Sequence, residues 1–172
     1  MLPLLVACAE NPATTAGAGF ASYAGDVGRL YELRVPVPPG DTADTAAPDT
    51  AAPDTATPSR WLRVADTTWT LTEGATADAG TPVATWTTRR ESGLFVDDVR
   101  LLPVSVLAGK SADGATIRAV ATWETVYGTF PDAAEVEVTT EGAWAGTQVF
   151  AKGVGPVFLT IDGAAWETAW YE

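Results

Sequence analysis

The chain has 172 residues, 47% of them hydrophobic, with 22 acidic against 10 basic side chains, a formal net charge of −12 and no histidine. That apolar content excludes a chain disordered throughout, and the acidic balance, with Lys110 and Lys152 as the two lysines, argues against nucleic acid, whose binding needs a basic footprint. Without histidine the Ser-His-Asp and Cys-His arrangements and the commonest zinc ligand are missing. With one cysteine no intrachain disulfide or cysteine metal cluster is expected, and we expect no metal and no cofactor.

Residues 1–8 end in Leu5-Val6-Ala7-Cys8, which matches a bacterial lipobox. The small residue before the cut lets a peptidase approach the backbone, and the cysteine thiol carries a diacylglycerol. The expected modification is therefore lipidation of Cys8, with the membrane as partner through that lipid. Acyl chains contribute ~0.8 kcal/mol per buried CH₂, and several together anchor durably. The apolar run before Cys8 is six residues with no basic residue ahead of it, shorter than the ~7–15 residues of a signal peptide. We read 1–8 as a truncated signal that continues upstream. The alternative is a cytosolic chain with an apolar start and a chance cysteine. Residues 9–19 are small and polar and read as a flexible tether.

A single β domain is expected over 20–172. Its first strand signal is Gly28 to Val37, where Leu30, Glu32 and Arg34 alternate with Tyr31, Leu33 and Val35. A low-complexity insert follows at 38–59, built on Asp44-Thr-Ala-Ala-Pro48, Asp49-Thr-Ala-Ala-Pro53 and Asp54-Thr-Ala-Thr-Pro58. It has no large apolar residue to bury, and its prolines block helix and ladder alike. It reads as a disordered, solvated spacer looping from the domain after the first strand. The alternative use of its Asp-Thr-Ala triplets is O-glycosylation.

Beyond Ser59 the pattern is short β segments separated by turn chemistry. Arg60 to Thr72, Val83 to Arg90, Leu94 to Val96, Val99 to Leu107, Thr116 to Tyr127, Ala134 to Thr140, Trp144 to Lys152, Val154 to Ile161 and Ala164 to Tyr171 read as extended. Val136 and Val138 alternate with Glu135 and Glu137, and Asp113-Gly114 and Asp162-Gly163 mark hairpins. We expect an all-β, mainly antiparallel meander forming a curved sheet, open barrel or sandwich, with little helix. Gly153 and Gly155 suit a turn, a bulge or a close backbone approach.

The run Gly128-Thr129-Phe130-Pro131-Asp132-Ala133-Ala134, read as a turn leading into an alternating strand, and the later Phe150-Ala151-Lys152-Gly153-Val154-Gly155-Pro156-Val157 together resemble a class of uncharacterised bacterial surface lipoproteins. The likeness covers roughly 20–36 and 60–172. It implies a β-sheet or open-barrel domain, similar in some members to lipoprotein-carrier half-barrels, and it supplies no catalytic residues. The Asp-Thr-Ala insert and Pro156 depart from that class.

Several chemical motifs fail. Gly109-Lys110-Ser111 resembles the end of a phosphate loop, but Val104 stands where the first glycine is needed. The same serine lacks the nucleophile-elbow spacing and a histidine to activate it. Asp97-Asp98 reads as a turn rather than a calcium site. The seven tryptophans are expected mostly in a core, above all Trp69 and Trp123. The candidate exception is an aromatic shelf of Trp144, Trp166 and Trp170, with the last two placed four apart on one side of a strand.

The leading expectation is a bacterial cell-envelope lipoprotein module, facing the periplasm or held at the outer membrane. Its role would be structural or binding, toward a glycan, lipid or protein ligand, and not enzymatic. The alternative is a lipid- or lipoprotein-handling carrier with an apolar concave face. The third is a carboxylate-based glycan hydrolase, which needs two carboxylates facing each other in a cleft.

Overall fold

The computed structural model describes residues 19–36 and 59–172. Cys8, the tether through residue 18, Val37 and residues 38–58 of the spacer lie outside the described residues. After one 3-10 turn at Phe20–Ser22 the chain is all β, as the turn spacing predicts. Among the described residues there are twelve strands: β1 (Leu30–Arg34), β2 (Arg60–Val64), β3 (Thr68–Glu73), β4 (Thr81–Arg89), β5 (Gly93–Val96), β6 (Val99–Pro103), β7 (Ser111–Ala112), β8 (Ala115–Thr125), β9 (Gly128–Val138), β10 (Gly146–Ala151), β11 (Gly155–Ile161) and β12 (Ala164–Tyr171).

All twelve lie in one antiparallel sheet of order β6-β5-β4-β3-β2-β1-β12-β11-β10-β9-β8-β7. First and last strands pair, with Glu32 opposite Trp170 and Arg34 opposite Glu167. The free edges therefore belong to β6 and β7, which are consecutive in the chain. The sheet curls until β6 comes up against β8 and β9, and Arg100 of β6 reaches Asp113 in the β7–β8 turn at 2.8 Å. The result is a nearly closed barrel whose edges shield each other.

Alternation fills its interior. Val136 and Val138 of β9 point inward while Glu135 and Glu137 point outward. Tyr31, Leu33, Leu62, Leu71, Leu94, Leu102, Ile117, Phe150 and Leu159 join them. At the centre Trp144 stands edge-on to both Trp69 and Trp86, ring centroids 5.7 and 4.9 Å away, an arrangement that favours the aromatic quadrupoles. The segment Tyr23–Ala24 belongs to the same core. It is held by Arg90, whose Nη1 donates to the Gly25 carbonyl at 2.8 Å. The Gly153 N–H donates to Ser22 at 2.6 Å.

The Asp-Gly turns work as expected. Asp113 and Gly114, and Asp162 and Gly163, all have positive φ, the conformation of two-residue type I′ hairpins. Two segments differ from the sequence reading. Arg60 to Thr72, read as one run, is two strands reversed at Ala65–Thr67, where the Ala65 N–H donates to Thr68 at 2.8 Å. The run Gly128 to Ala133, read as a turn, is the first half of β9. The reversal lies earlier, where the Thr125 hydroxyl accepts the N–H groups of Tyr127 and Gly128, each at 3.1 Å.

Candidate functional site

The β8–β9 hairpin builds the site because it is too long for its neighbour. Each of its strands has 11 residues, against 6 in β10. Pairing of β9 with β10 stops at Ala133 opposite Ala151, so the distal half of the hairpin outruns the sheet. Register shifts fall at Arg118 of β8 and at Pro131–Asp132 of β9, where Asp132 has a positive φ, and such bulges bend and twist a strand. The distal half turns onto the outside of the barrel. There Trp123 and Phe130 pack on Val149, Ala151, Val157 and Phe158, with Trp123 and Phe158 ring centroids 5.9 Å apart.

The tip reaches β12. The Val126 N–H donates to Oε2 of Glu167 at 3.3 Å. Between tip and strand lies a cleft of about 270 Å³, lined by Tyr127–Phe130 on one side and Thr168–Tyr171 on the other. This is just below the usual range of ligand-pocket volumes, ~300–1,000 Å³.

A bulge in β12 decides what the cleft presents. Leu33 faces Thr168 but Glu32 faces Trp170, so Ala169 is an extra residue. Without it Trp166 and Trp170 would share a face. With it Trp166 points into the core, 7% exposed, under the Arg60 guanidinium at 4.4 Å. Trp170 points outward and is 43% exposed, whereas the Tyr171 ring turns to the other face, its centroid 6.3 Å from that of Tyr31 and beneath the Arg29 guanidinium. Trp144, 2% exposed, precedes β10 and lies in the core. The expected shelf of Trp144, Trp166 and Trp170 is therefore not assembled, and only Trp170 faces solvent.

Its actual neighbours come from strands on the other side. Trp61 of β2 and Trp170 each lie opposite Glu32 of β1, and their rings meet edge to face with centroids 6.2 Å apart. The Trp61 Nε1 donates to the Gly74 carbonyl at 3.1 Å, which fixes that ring. Glu32 Oε1 accepts from Arg34 Nε and Nη2 at 2.9 and 2.7 Å and from Ser59 Oγ at 2.9 Å. The hydrogen bond to Glu32 is the main reason the Arg34 pKa lies above the ordinary guanidinium value, and the phenol of Tyr127 beside it is a lesser one. Tyr127, Arg34, Glu32, Trp61 and Trp170 thus converge on one outer face. None of the first four was singled out from the sequence as a site residue.

Glu167 lies under the tip, 9% exposed. Burial raises its pKa, and the Val126 N–H opposes that rise. Gly153 sits in the β10–β11 turn and Gly155 opens β11 against the Tyr31 hydroxyl and Gly25, both with positive φ. The bulge of that hairpin falls at Val157, where Val149 faces Phe158 and Phe150 faces Pro156. The Asp97-Asp98 turn has its carboxylates engaged. Asp97 Oδ1 accepts the Thr87 N–H at 2.9 Å, and Asp98 pairs with Arg89 at 3.1 Å. Among the described residues no three metal-ligating side chains cluster.

Compared with known proteins, the chain matches no family model, no curated protein and no solved structure.

Proposed function

We propose that this chain is a binding module of the bacterial cell envelope, anchored through lipid on Cys8, with the cleft between the hairpin tip and β12 as its ligand site. One observation carries the reading. The half-exposed Trp170 borders an open cleft, with Tyr127 and Phe130 across it, on the outside of a barrel whose interior is occupied by packed side chains. A solvent-exposed tryptophan beside a concavity favours recognition, because its large face gains most when a partner covers it. The lipobox at Leu5–Cys8 and the small, polar stretch after it support the anchored address.

The packed interior favours this reading over a carrier, which needs apolar space inside the sheet. It is also favoured over a carboxylate hydrolase. Glu32 is engaged by Arg34 and Ser59, and Glu167 is covered by the hairpin tip, so neither stands free to face a second acid across the cleft.

The anchor is tested by the intact mass of the protein made from its full upstream reading frame in a bacterial host, beside Cys8→Ala. The expected result is a lipid-sized addition on the wild type that the variant lacks. An unmodified chain retaining Met1, in a host that processes a control lipoprotein, overturns it.

A further inference from the structure

We infer that the cleft binds an extended basic peptide, its main chain bonded at the strand edges of Thr129 and Tyr171 and one apolar side chain laid against Trp170. This rests on the reading of the cleft as the ligand site, and is independent of the lipid on Cys8. Three observations select that ligand class.

The first is that both walls are strand edges where sheet pairing has run out. On one wall, Gly128–Phe130 of β9 pair with β8 alone, because pairing with β10 stops at Ala133 opposite Ala151. On the other, pairing of β12 with β11 stops at Glu167 opposite Phe158. Thr168–Tyr171 therefore have β1 as their one ladder partner among the described residues. In an antiparallel pair, alternate residues turn both N–H and C=O toward the partner, and the residues between turn both away. The Gly128 N–H and C=O are both bonded to the Thr125 hydroxyl on β8, at 3.1 and 3.2 Å, so alternation turns those of Thr129 away from β8. Likewise Glu172 exchanges both main-chain bonds with Leu30, at 3.1 and 3.3 Å, so those of Tyr171 turn away from β1. An unpaired edge of this kind is the template on which an extended peptide adds as a strand.

The lining of the cleft agrees. Four successive residues stand on each side. Gly128 has no side chain, and the Tyr171 ring lies on the opposite face against Tyr31, so main chain forms part of both walls. Four residues span about 13 Å at ~3.3 Å each, which seats a segment of similar length.

The second is the apolar surface. Trp170 is 43% exposed, with Tyr127 and Phe130 half-buried across the cleft. Side chains of a bound strand alternate in direction, so one apolar residue meets these rings while its neighbours face solvent.

The third is charge. Glu124 is the register partner of Thr129, and Asp132 and Glu172 stand just past the two walls. All three are exposed, and none is in an ion pair among the described residues. With a net charge of −12 on the chain, that rim draws a cationic partner and repels a second copy of this protein.

The test is calorimetric titration of the purified full chain with a panel of blocked hexapeptides that alternate lysine with valine, leucine, phenylalanine or tyrosine. Two controls are the same peptides with glutamate in place of lysine, and with every second amide N-methylated, in both registers. Cellohexaose and phosphatidylglycerol vesicles are titrated beside them, and all probes are repeated on Trp170→Ala once it is shown to melt cooperatively. The expected result is saturable binding of at least one lysine peptide, weakened about tenfold or more by Trp170→Ala, by N-methylation in at least one register, and by glutamate. Binding that survives Trp170→Ala, or that both N-methylated registers match, overturns the inference, as do glutamate peptides that bind equally well. So does the absence of peptide binding up to about 1 mM. If cellohexaose or vesicles then bind in a Trp170-dependent way, the cleft stays a ligand site and only the peptide is lost. If no probe binds, both readings are lost.

Discussion

The backbone N–H of Val126, at the tip of one hairpin, donates to the carboxylate of Glu167 on a strand remote in sequence, at 3.3 Å. The contact latches the hairpin to β12 directly next to the residues that line the cleft. It also leaves Glu167 nearly dry. Burial raises its pKa above the ordinary 4.5, and the N–H bond only partly offsets this.

The sign of the pH dependence follows. A carboxyl whose folded pKa is raised binds its proton more tightly in the folded state. Its contribution is most favourable below the unfolded value of 4.5 and is lost as pH rises through the folded pKa. Glu167→Gln keeps an oxygen for the Val126 N–H and removes the charge. The variant is expected to melt higher than wild type at neutral pH, and the difference is expected to shrink as pH falls toward 4.5. Thermal unfolding at several pH values reads this directly. A lower melting point for Glu167→Gln at neutral pH would mean that the ionised hydrogen bond outweighs burial.

Much of the fold is legible in the residues, and the reason is local. Asp-Gly at 113–114 and 162–163 accepts positive φ at little cost, so those hairpins announce themselves. The Val136/Glu137 alternation reports one buried face. The site is less legible because it depends on single-residue insertions. Nothing in Glu167-Thr168-Ala169-Trp170 distinguishes a bulge from a regular strand, yet the bulge sends Trp170 outward and leaves Trp166 inside. Nor does the sequence announce that β1 pairs with β12, the contact that brings Glu32 between Trp61 and Trp170. The run Gly128 to Ala133 looks like a turn because of Gly128, Pro131 and Asp132. It is a strand because the outer side chains of β10 and β11 give Phe130 an apolar surface.

The tryptophans should separate sharply in stability. Trp144 is enclosed by Trp69 and Trp86, so Trp144→Ala is expected to cost about 3–5 kcal/mol. Trp170→Ala removes a half-exposed ring and should cost less than about 1 kcal/mol. Urea unfolding monitored by far-ultraviolet circular dichroism distinguishes them. Similar losses would mean that Trp170 supports the fold rather than a ligand.

The two glycines of the β10–β11 turn make a second contrast. Both have positive φ, but a Cβ on Gly153 meets nothing within 4 Å, whereas one on Gly155 meets the Tyr31 hydroxyl and the Gly25 Cα. Gly153→Ala is expected to cost about 1–2 kcal/mol, the conformational penalty alone. Gly155→Ala should cost at least about 2–3 kcal/mol, since steric displacement adds to backbone strain. Equal denaturation midpoints for the two variants would show that the Tyr31 hydroxyl moves aside freely.

Arg90 holds the segment before β1 in place. Its Nη1 and Nη2 donate to the carbonyls of Gly25 and Ala24 at 2.8 and 3.4 Å, and burial lowers its pKa from the ordinary guanidinium value. The guanidinium stays charged at any pH the protein meets, so its role is to satisfy carbonyls beside a core that includes Tyr23 and Ala24. Arg90→Ala leaves those carbonyls without donors and is expected to cost about 1–3 kcal/mol. The loss should be local first. The N–H of Tyr23 and that of Ala24, both bonded to the Phe20 carbonyl, should exchange with deuterium faster, while amides of β9 and β10 keep their protection. Uniformly faster exchange across all strands would mean instead that this segment and the barrel unfold as one unit.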